Sequence, residues 1–477
     1  MFRPHTATLA AALGLVLAGA AHAKGDRPSS FANDPYPTTY QPIAAPAVLI
    51  QGATVLTGTG ERVDGADVLM ADGRITAVGR NLAAPASATR VDGRGKWVTP
   101  GIIDVHSHLG VYPSPGVRAH SDGNEMTAPV TAAVWAEHSV WPQDPGFEAA
   151  RAGGVTSLQI LPGSANLIGG RGVTLKNVPA VSYQAMKFPG APWGLKMACG
   201  ENPKRVYGEK GGPATRMGNV AGYRAAFIDA AEYRRKIGGG DAAPKKTRGW
   251  GSRGAIDSSG DSGGKQDLKL ETLAGAINGD ILVHIHCYRA DEMTTMLDLA
   301  EEFGFKVAAF HHGVEAYKIA DKLAQSGTCA ALWADWWGFK LEAFDGIQEN
   351  IALVDRPAGS CAILHSDSEE GIQRLNQEAA KVMAHAQLAG IEIAPERAIR
   401  WLTANAAQSM GIADQTGTLE AGKMADVVLW NGNPFSVYAK AEQVYVDGAR
   451  VFDRNDPSRQ ATSDFLLGQP ATTGGAL

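Results

Sequence analysis

Cysteine is scarce: the chain of 477 residues has four, Cys199, Cys287, Cys329 and Cys361. None forms a CxxC pair, which excludes a zinc ribbon and a disulfide-dense scaffold. Each sits singly in an apolar, strand-like stretch, so the expectation is four small core thiols, although export would permit disulfides. An excess of one charge is missing too. Lys and Arg total 44 against 49 Asp and Glu, a formal net charge of −5. With no long basic run, nucleic-acid binding is set aside in favour of a small-molecule partner. Beyond residue 23 no apolar run approaches the roughly 18 residues that span a bilayer, so no membrane span is expected in the mature chain.

What is present begins with Arg3, the apolar segment "LAAALGLVLAGA" and the small-residue triplet "AHA". That is the layout of a secretory signal peptide over 1–23, cut after Ala23, and it predicts a secreted or periplasmic protein. The Pro-rich leader 24–47 reads as extended and weakly structured. Residues 48–99 alternate short β-branched runs with Gly and Asp-Gly turns, and 411–455 repeat that texture. Both regions are expected to build one small β-sandwich domain from the two ends of the chain, ahead of a C-terminal tail at 456–477.

Between them, 100–410 alternates apolar runs with helical patterns, the α/β signature of a parallel sheet under helices. Eight runs occur: "GIIDVH", "GVTSLQIL", "AVSYQAMKF", "GLKMACG", "DILVHIHC", "KVAAFHHG", "TCAALWADW" and "GSCAILHSD". Eight in this length fit a TIM-like (β/α)8 barrel, with a doubly wound open sheet as the rival. The segment "GGGDAAPKKTRGWGSRGAIDSSGDSGGK" reads as a surface insertion. "PGSANLIGGRG" lacks the GK[ST] ending of a P-loop and reads as a loop over the barrel mouth, where Arg171 would touch substrate.

Barrel enzymes carry their reactive groups at the C-terminal ends of strands. Seven of the twelve histidines fall at such ends: His106, His108, His284, His286, His311, His312 and His365. In "VTPGIIDVHSHLG", Asp104, His106 and His108 share one strand face and must be satisfied by something, a cation being the economical answer. His311 and His312 are neighbours, so alternation lets only one point into the barrel. Nitrogen and carboxylate donors without thiolates suit a divalent metal, zinc first, with manganese or iron also fitting. His120 and His138 have no ligand spacing.

"PGIIDVHSH" after a small β-domain, with later His, His and Asp positions, resembles the amidohydrolase superfamily of metal-dependent hydrolases. "LKMACGENP", "LVHIHCY", "FHHGVEA" and "LHSDS" resemble, more narrowly, its imidazolonepropionase-related and Xaa-dipeptidase branch. The resemblance implies that His106 and His108 bind one metal and His284 and His312 a second. It gives Asp367 the roles of metal ligand and proton acceptor from the attacking water. Lys196 would bridge the two cations, which requires carboxylation of its amine, because a cationic lysine is a poor ligand.

Deaminases and imidazolonepropionases of the superfamily carry a proton-shuttling Glu three positions after the fifth-strand His; here that position is Cys287. The expectation is therefore hydrolysis of a linear amide, a dipeptide or N-acyl amino acid, by metal-activated hydroxide. A mononuclear cyclic-amide hydrolase or deaminase, and a non-catalytic metal-binding barrel, are the alternatives. His286, Tyr288 and Arg289 are candidate substrate contacts, Arg289 through a carboxylate-binding fork. The sequence neither requires nor excludes a homo-oligomer.

Overall fold

The computed structural model describes residues 31, 33–237 and 266–456. The signal segment 1–23, the insertion at 238–265 and the tail beyond 456 lie outside the described residues. In chain order the strands of the first part are β1 (Val48–Leu56), β2 (Arg62–Ala71), β3 (Arg74–Gly79), β4 (Thr89–Asp92) and β5 (Trp97–Pro100). The barrel strands follow as β6 (Ile102–Ser107), β7 (Val155–Ile160), β8 (Ile168–Lys176), β9 (Gly194–Ala198), β10 (Leu282–Cys287), β11 (Val307–His312), β12 (Cys329–Leu332) and β13 (Ala362–Leu364). The chain then returns through β14 (Val427–Trp430), β15 (Ala441–Val446) and β16 (Ala449–Asp453).

The outer sheet has the order β16-β15-β14-β5-β1-β2-β3, so both ends of the chain contribute to it. It forks at β1, whose first half pairs with β4 and whose second half pairs with β5. Two Asp-Gly turns shape its hairpins. Asp72 and Gly73 have φ of 52° and 74°, and Asp447 and Gly448 have 45° and 74°. Two successive left-handed residues match the twist of the flanking strands, which is why Asp-Gly marks these turns.

The second sheet runs β6 through β13 in sequence order and nearly closes into a barrel. The Asp367 backbone N–H donates to the His106 carbonyl at 3.1 Å across the seam. Helices such as Ala290–Phe303 and Leu268–Asn278 cover the outside, each ending at a glycine with positive φ, Gly304 and Gly279.

One strand differs from the sequence reading. The third barrel strand is Ile168–Lys176, which begins inside the stretch read as a mouth loop and runs beyond it, and it is antiparallel to both neighbours. "AVSYQAMKF" instead holds a short 3-10 turn, Tyr183–Ala185, and a single bridge from Lys187 to Leu175. Glycines let β8 sit where it does: a Cβ on Gly170 would lie 2.3 Å from the Val134 carbonyl oxygen, and one on Gly172 2.9 Å from that of Ile160. The close approach needs residues that are poor strand formers, so the strand is disguised as a loop.

The cysteine expectation is also corrected. All four are buried, but as two disulfides, Cys199–Cys287 and Cys329–Cys361. Parallel neighbours brought the partners together across 88 and 32 residues of sequence, a proximity that spacing alone cannot reveal.

The described part of the leader, residues 31 and 33–47, has no strand or helix, yet it is fastened to the barrel. Phe31 and Tyr40 are buried, and the Thr39 N–H donates to the Gln184 carbonyl at 3.0 Å. Tyr40 ends in a buried polar junction, where its hydroxyl donates to Asp447 at 2.5 Å. Lys176 of β8 donates to Asp426 at 3.0 Å and to Asp447 at 3.0 Å, and all three side chains are almost wholly buried. This ammonium between two carboxylates joins the barrel to the outer sheet. Burial, then the charge of Asp426, pushes the Asp447 carboxyl up.

Removing one member of a buried ion pair strands its partners and costs about 3–5 kcal/mol. Lys176→Met is expected to lower the unfolding free energy by that amount, read from denaturant melts; an unchanged midpoint would dismiss the junction as a stabilising element. Protein denatured without reductant should show no titratable thiol, and four thiols after reduction.

Candidate active site

The ends of β6, β9, β10, β11 and β13 converge at one mouth of the barrel. Asp367, just past β13, lies with Oδ1 3.3 Å from His106 Nε2 and 3.2 Å from His108 Nε2. Lys196 of β9 is fully buried; its Nζ donates to the Pro162 carbonyl at 3.0 Å and lies 3.4 Å from His106 Nε2. The structure thus brings four of the sequence-chosen residues, His106, His108, Lys196 and Asp367, into contact. His108 is oriented from behind, with Nδ1 2.8 Å from the Leu161 carbonyl, leaving Nε2 facing the site.

His311 and His312 both enter the interior, against strict alternation. His311 lies in the barrel, Nδ1 2.9 Å from His106 Nδ1 and Nε2 2.9 Å from His284 Nδ1. His312 has φ of 74°, and this left-handed residue breaks the two-residue period and turns its ring toward His106. Asp367 has φ of 50°. Non-glycine residues in that region are strained, and such strain gathers at functional sites.

His284 sits deeper than the cluster. Besides its bond to His311, its Nε2 lies 3.4 Å from Gln159 Nε2. His286, two residues nearer the mouth, packs its ring 4.6 Å from that of His312, and its Nε2 meets Asn202 Nδ2 at 3.3 Å.

Two groups of three donors lie with their ligand atoms within 4.8 Å of one another: His106, His108 and Asp367, and His106, His312 and His365. His365, directly after the eighth strand, has no role among those the family resemblance implies. Burial holds His106, His286 and His312 well below the usual imidazole range and pulls His365 down to about 3, so these rings are neutral. Burial, opposed only by the charge of Asp367, lowers Lys196 to about 8. Burial alone would raise the Asp367 carboxyl, but the hydrogen bond and charge of His108, with His365 and Lys196, carry it below its ordinary value.

Neutral imidazoles and an ionised carboxylate are the ligand forms that zinc-like cations take. At the site, four buried imidazole nitrogens, His286 Nδ1, His312 Nδ1 and both of His365, have no hydrogen-bond partner. Unpaired buried polar atoms gathered in one small cluster call for a partner, such as a bound ion. The donor set fits a divalent cation.

Of the proposed substrate contacts, Tyr288 lines the site, its ring stacked 5.4 Å from His312. Arg289 turns away and pairs with Asp291 at 2.9 Å, on the exposed side. Arg171 is buried in the barrel wall, 2.8 Å from Thr272 Oγ1 and over the Trp135 ring, because its segment is strand β8 rather than a mouth loop. Sequence reasoning missed Trp333, which stacks on His312 at 4.2 Å, and Asn202 and Lys340 beside His286. "WADWWGF" carries the only signal that could have found this wall, an aromatic cluster immediately after a barrel strand.

Comparison with known proteins agrees with this geometry. The Amidohydrolase family profile matches residues 354–456. Amidohydrolase tasK of Hapsidospora irregularis is 34% identical over 430 residues, 84% of this chain; the chain spans only 42% of that protein's length. Imidazolonepropionase of Brucella anthropi is 25% identical, over 80% of this chain and 90% of its own. The crystal structure of an amidohydrolase from Thermotoga maritima MSB8 is 36% identical, with a TM-score of 0.74, covering 85% of this chain and 100% of that one. Its likeness extends over the outer sheet and the barrel alike, and the chain belongs to the amidohydrolase family of metal-dependent hydrolases.

Proposed function

We propose that the protein hydrolyses a linear amide, a dipeptide or N-acyl amino acid, at a two-cation centre and in an oxidising compartment outside the cytoplasm. The observation that carries the reading is the pair of donor groups sharing His106, with Lys196 and Asp367 on them. Divalent cations there, zinc by donor type, supply a lowered water pKa and polarisation of the amide carbonyl. His106 and His108 would hold one cation. His312 and His286 would hold the other, since both ring nitrogens of His284 are engaged, by His311 and Gln159, whereas His286 keeps an unpartnered Nδ1 and packs its ring 4.6 Å from that of His312. Lys196, carboxylated on Nζ, would be a ligand shared by the two. Asp367 accepts the proton of the attacking water on a carboxylate oxygen and passes it to the departing amine.

Ring chemistry is disfavoured because neither fifth-strand histidine has an acid three residues on. Past His284 stands Cys287, locked to Cys199; past His286 stands Arg289, paired with Asp291. The imidazolonepropionase relative makes cyclic amides the competing substrate class. Export is supported by the signal-like N-terminus and by two disulfides, which persist in oxidising compartments.

Elemental analysis of protein purified without chelator should find about two divalent cations per chain. Lys196→Ala and His286→Ala are expected to lose at least one each, whereas His284→Ala keeps both; one cation throughout would remove the bridging role of Lys196. In a substrate screen, turnover confined to cyclic amides would overturn the linear-amide reading. Protein recovered from the exported fraction should begin at Lys24.

A further inference from the structure

We infer that Lys340 is the anchor for a free carboxylate on the substrate, and that the amino acid bearing it has a large apolar or aromatic side chain. This inference rests on the linear-amide reading for its place in the reaction, though the carboxylate site itself is testable without it.

Lys340 lies in the loop after β12, which crosses the barrel mouth from Trp333 toward the start of the Glu201–Tyr207 helix. Its Nζ sits 4.0 Å over the Tyr288 ring, and that ring stacks 5.4 Å from His312. It donates to Asn202 Oδ1 at 3.3 Å, and Asn202 in turn touches His286 at 3.3 Å. The ammonium is therefore one ring and one amide away from the proposed ligands, with only 17% of its side chain exposed.

The length suits a dipeptide. From the scissile carbonyl carbon to the carboxylate carbon of the leaving amino acid is three bonds, about 4 Å at most. A cation one ring beyond the cluster meets the carboxylate while the scissile carbonyl faces the donors.

Lys340 also has capacity to spare. An ammonium has three donors, and one is used at 3.3 Å. Its ion pairs are long, to Glu201 Oε1 at 3.5 Å and Glu342 Oε2 at 3.9 Å, while Arg216 holds Glu342 through Oε1, so an incoming carboxylate would compete with two loose contacts for the ammonium. Three arginines are held by shorter contacts: Arg289 by Asp291 at 2.9 Å, Arg171 by Thr272 at 2.8 Å, and Arg216 by Glu292 at 3.0 Å and by Glu342.

The side-chain preference comes from the wall beside it. Trp333 stacks on His312 at 4.2 Å and on Trp336 at 5.1 Å, and Phe339 meets Trp333 and Tyr288 edge-on at 5.9 and 6.3 Å. Such a surface favours an apolar or aromatic group over a charged one.

The test uses the metal-loaded protein and two ligands that cannot be hydrolysed, L-phenylalanine and L-phenylalaninol, which differ in the carboxylate. Calorimetric titration should give the acid at least tenfold tighter binding. Lys340→Met should abolish that preference and Lys340→Arg should retain most of it, at unchanged metal content. With N-acetylphenylalanine or a dipeptide ending in phenylalanine, Lys340→Met should raise KM at least tenfold and leave kcat within about threefold, as loss of uniform binding requires.

Equal affinity of the wild type for acid and alcohol overturns the inference, as does a preference that survives Lys340→Met. If Lys340→Met does not fold, the wild-type comparison and Lys340→Arg decide. A preference that depends on Lys340 without turnover of any linear amide leaves the carboxylate site standing and removes the proposed reaction.

Discussion

A buried carboxylate, Asp104, ties the first barrel strand to the last. It accepts from the Ser366 hydroxyl, from the Ser366 N–H at 3.2 Å and from the His106 N–H at 3.2 Å. With no surface exposed, it is pushed up by burial to about 6, and these three donors offset part of that cost. An uncompensated carboxylate in such a place would be strongly destabilising, so the seam can close only where Ser366 meets Asp104. That fixes the neighbours of both residues, His106 on one side and Asp367 on the other. The catalytic geometry is thus a consequence of how the barrel is sealed.

This also answers why one strand aims Asp104, His106 and His108 the same way. Alternation along the strand requires that all three be satisfied, but not by one partner. Asp104 serves the seam, His106 faces His311 with one nitrogen and the site with the other, and His108 stands at the mouth. A strand ending in alternating polar residues therefore grades from structure to chemistry along its length.

Much of the architecture was legible because seven of the eight barrel strands are apolar runs with little ambiguity, and because Asp-Gly turns announce the hairpins of the outer sheet. What escaped reading depended on contacts distant in sequence. β8 is glycine-rich since neighbouring backbone leaves no room for Cβ atoms, so its composition reports a tertiary constraint rather than strand propensity. The disulfides depend on strand adjacency across the barrel. In the site, His106, His108, Lys196 and Asp367 came together as the motifs implied. The fifth and sixth strands were harder: choosing between His284 and His286 needs depth along the barrel, and His312 escapes the alternation rule through a single left-handed residue.

The division of labour follows from where each group is mounted. The nitrogen and carboxylate donors stand on or beside hydrogen-bonded strands, backed by His311, Asp104 and backbone carbonyls, which gives cation ligands the rigidity they need. Trp333, Phe339 and Lys340 belong instead to one connecting loop, pinned across the mouth by Lys340 on Asn202 and Glu342 on Arg216. The loop still touches the donors at one point, where Trp333 stacks on His312 at 4.2 Å and its indole N–H donates to the Ser366 carbonyl at 3.3 Å. A barrel built this way mounts its donors on strands and part of its mouth wall on a loop, so the fold alone speaks to the chemistry and the loops must be read for the substrate.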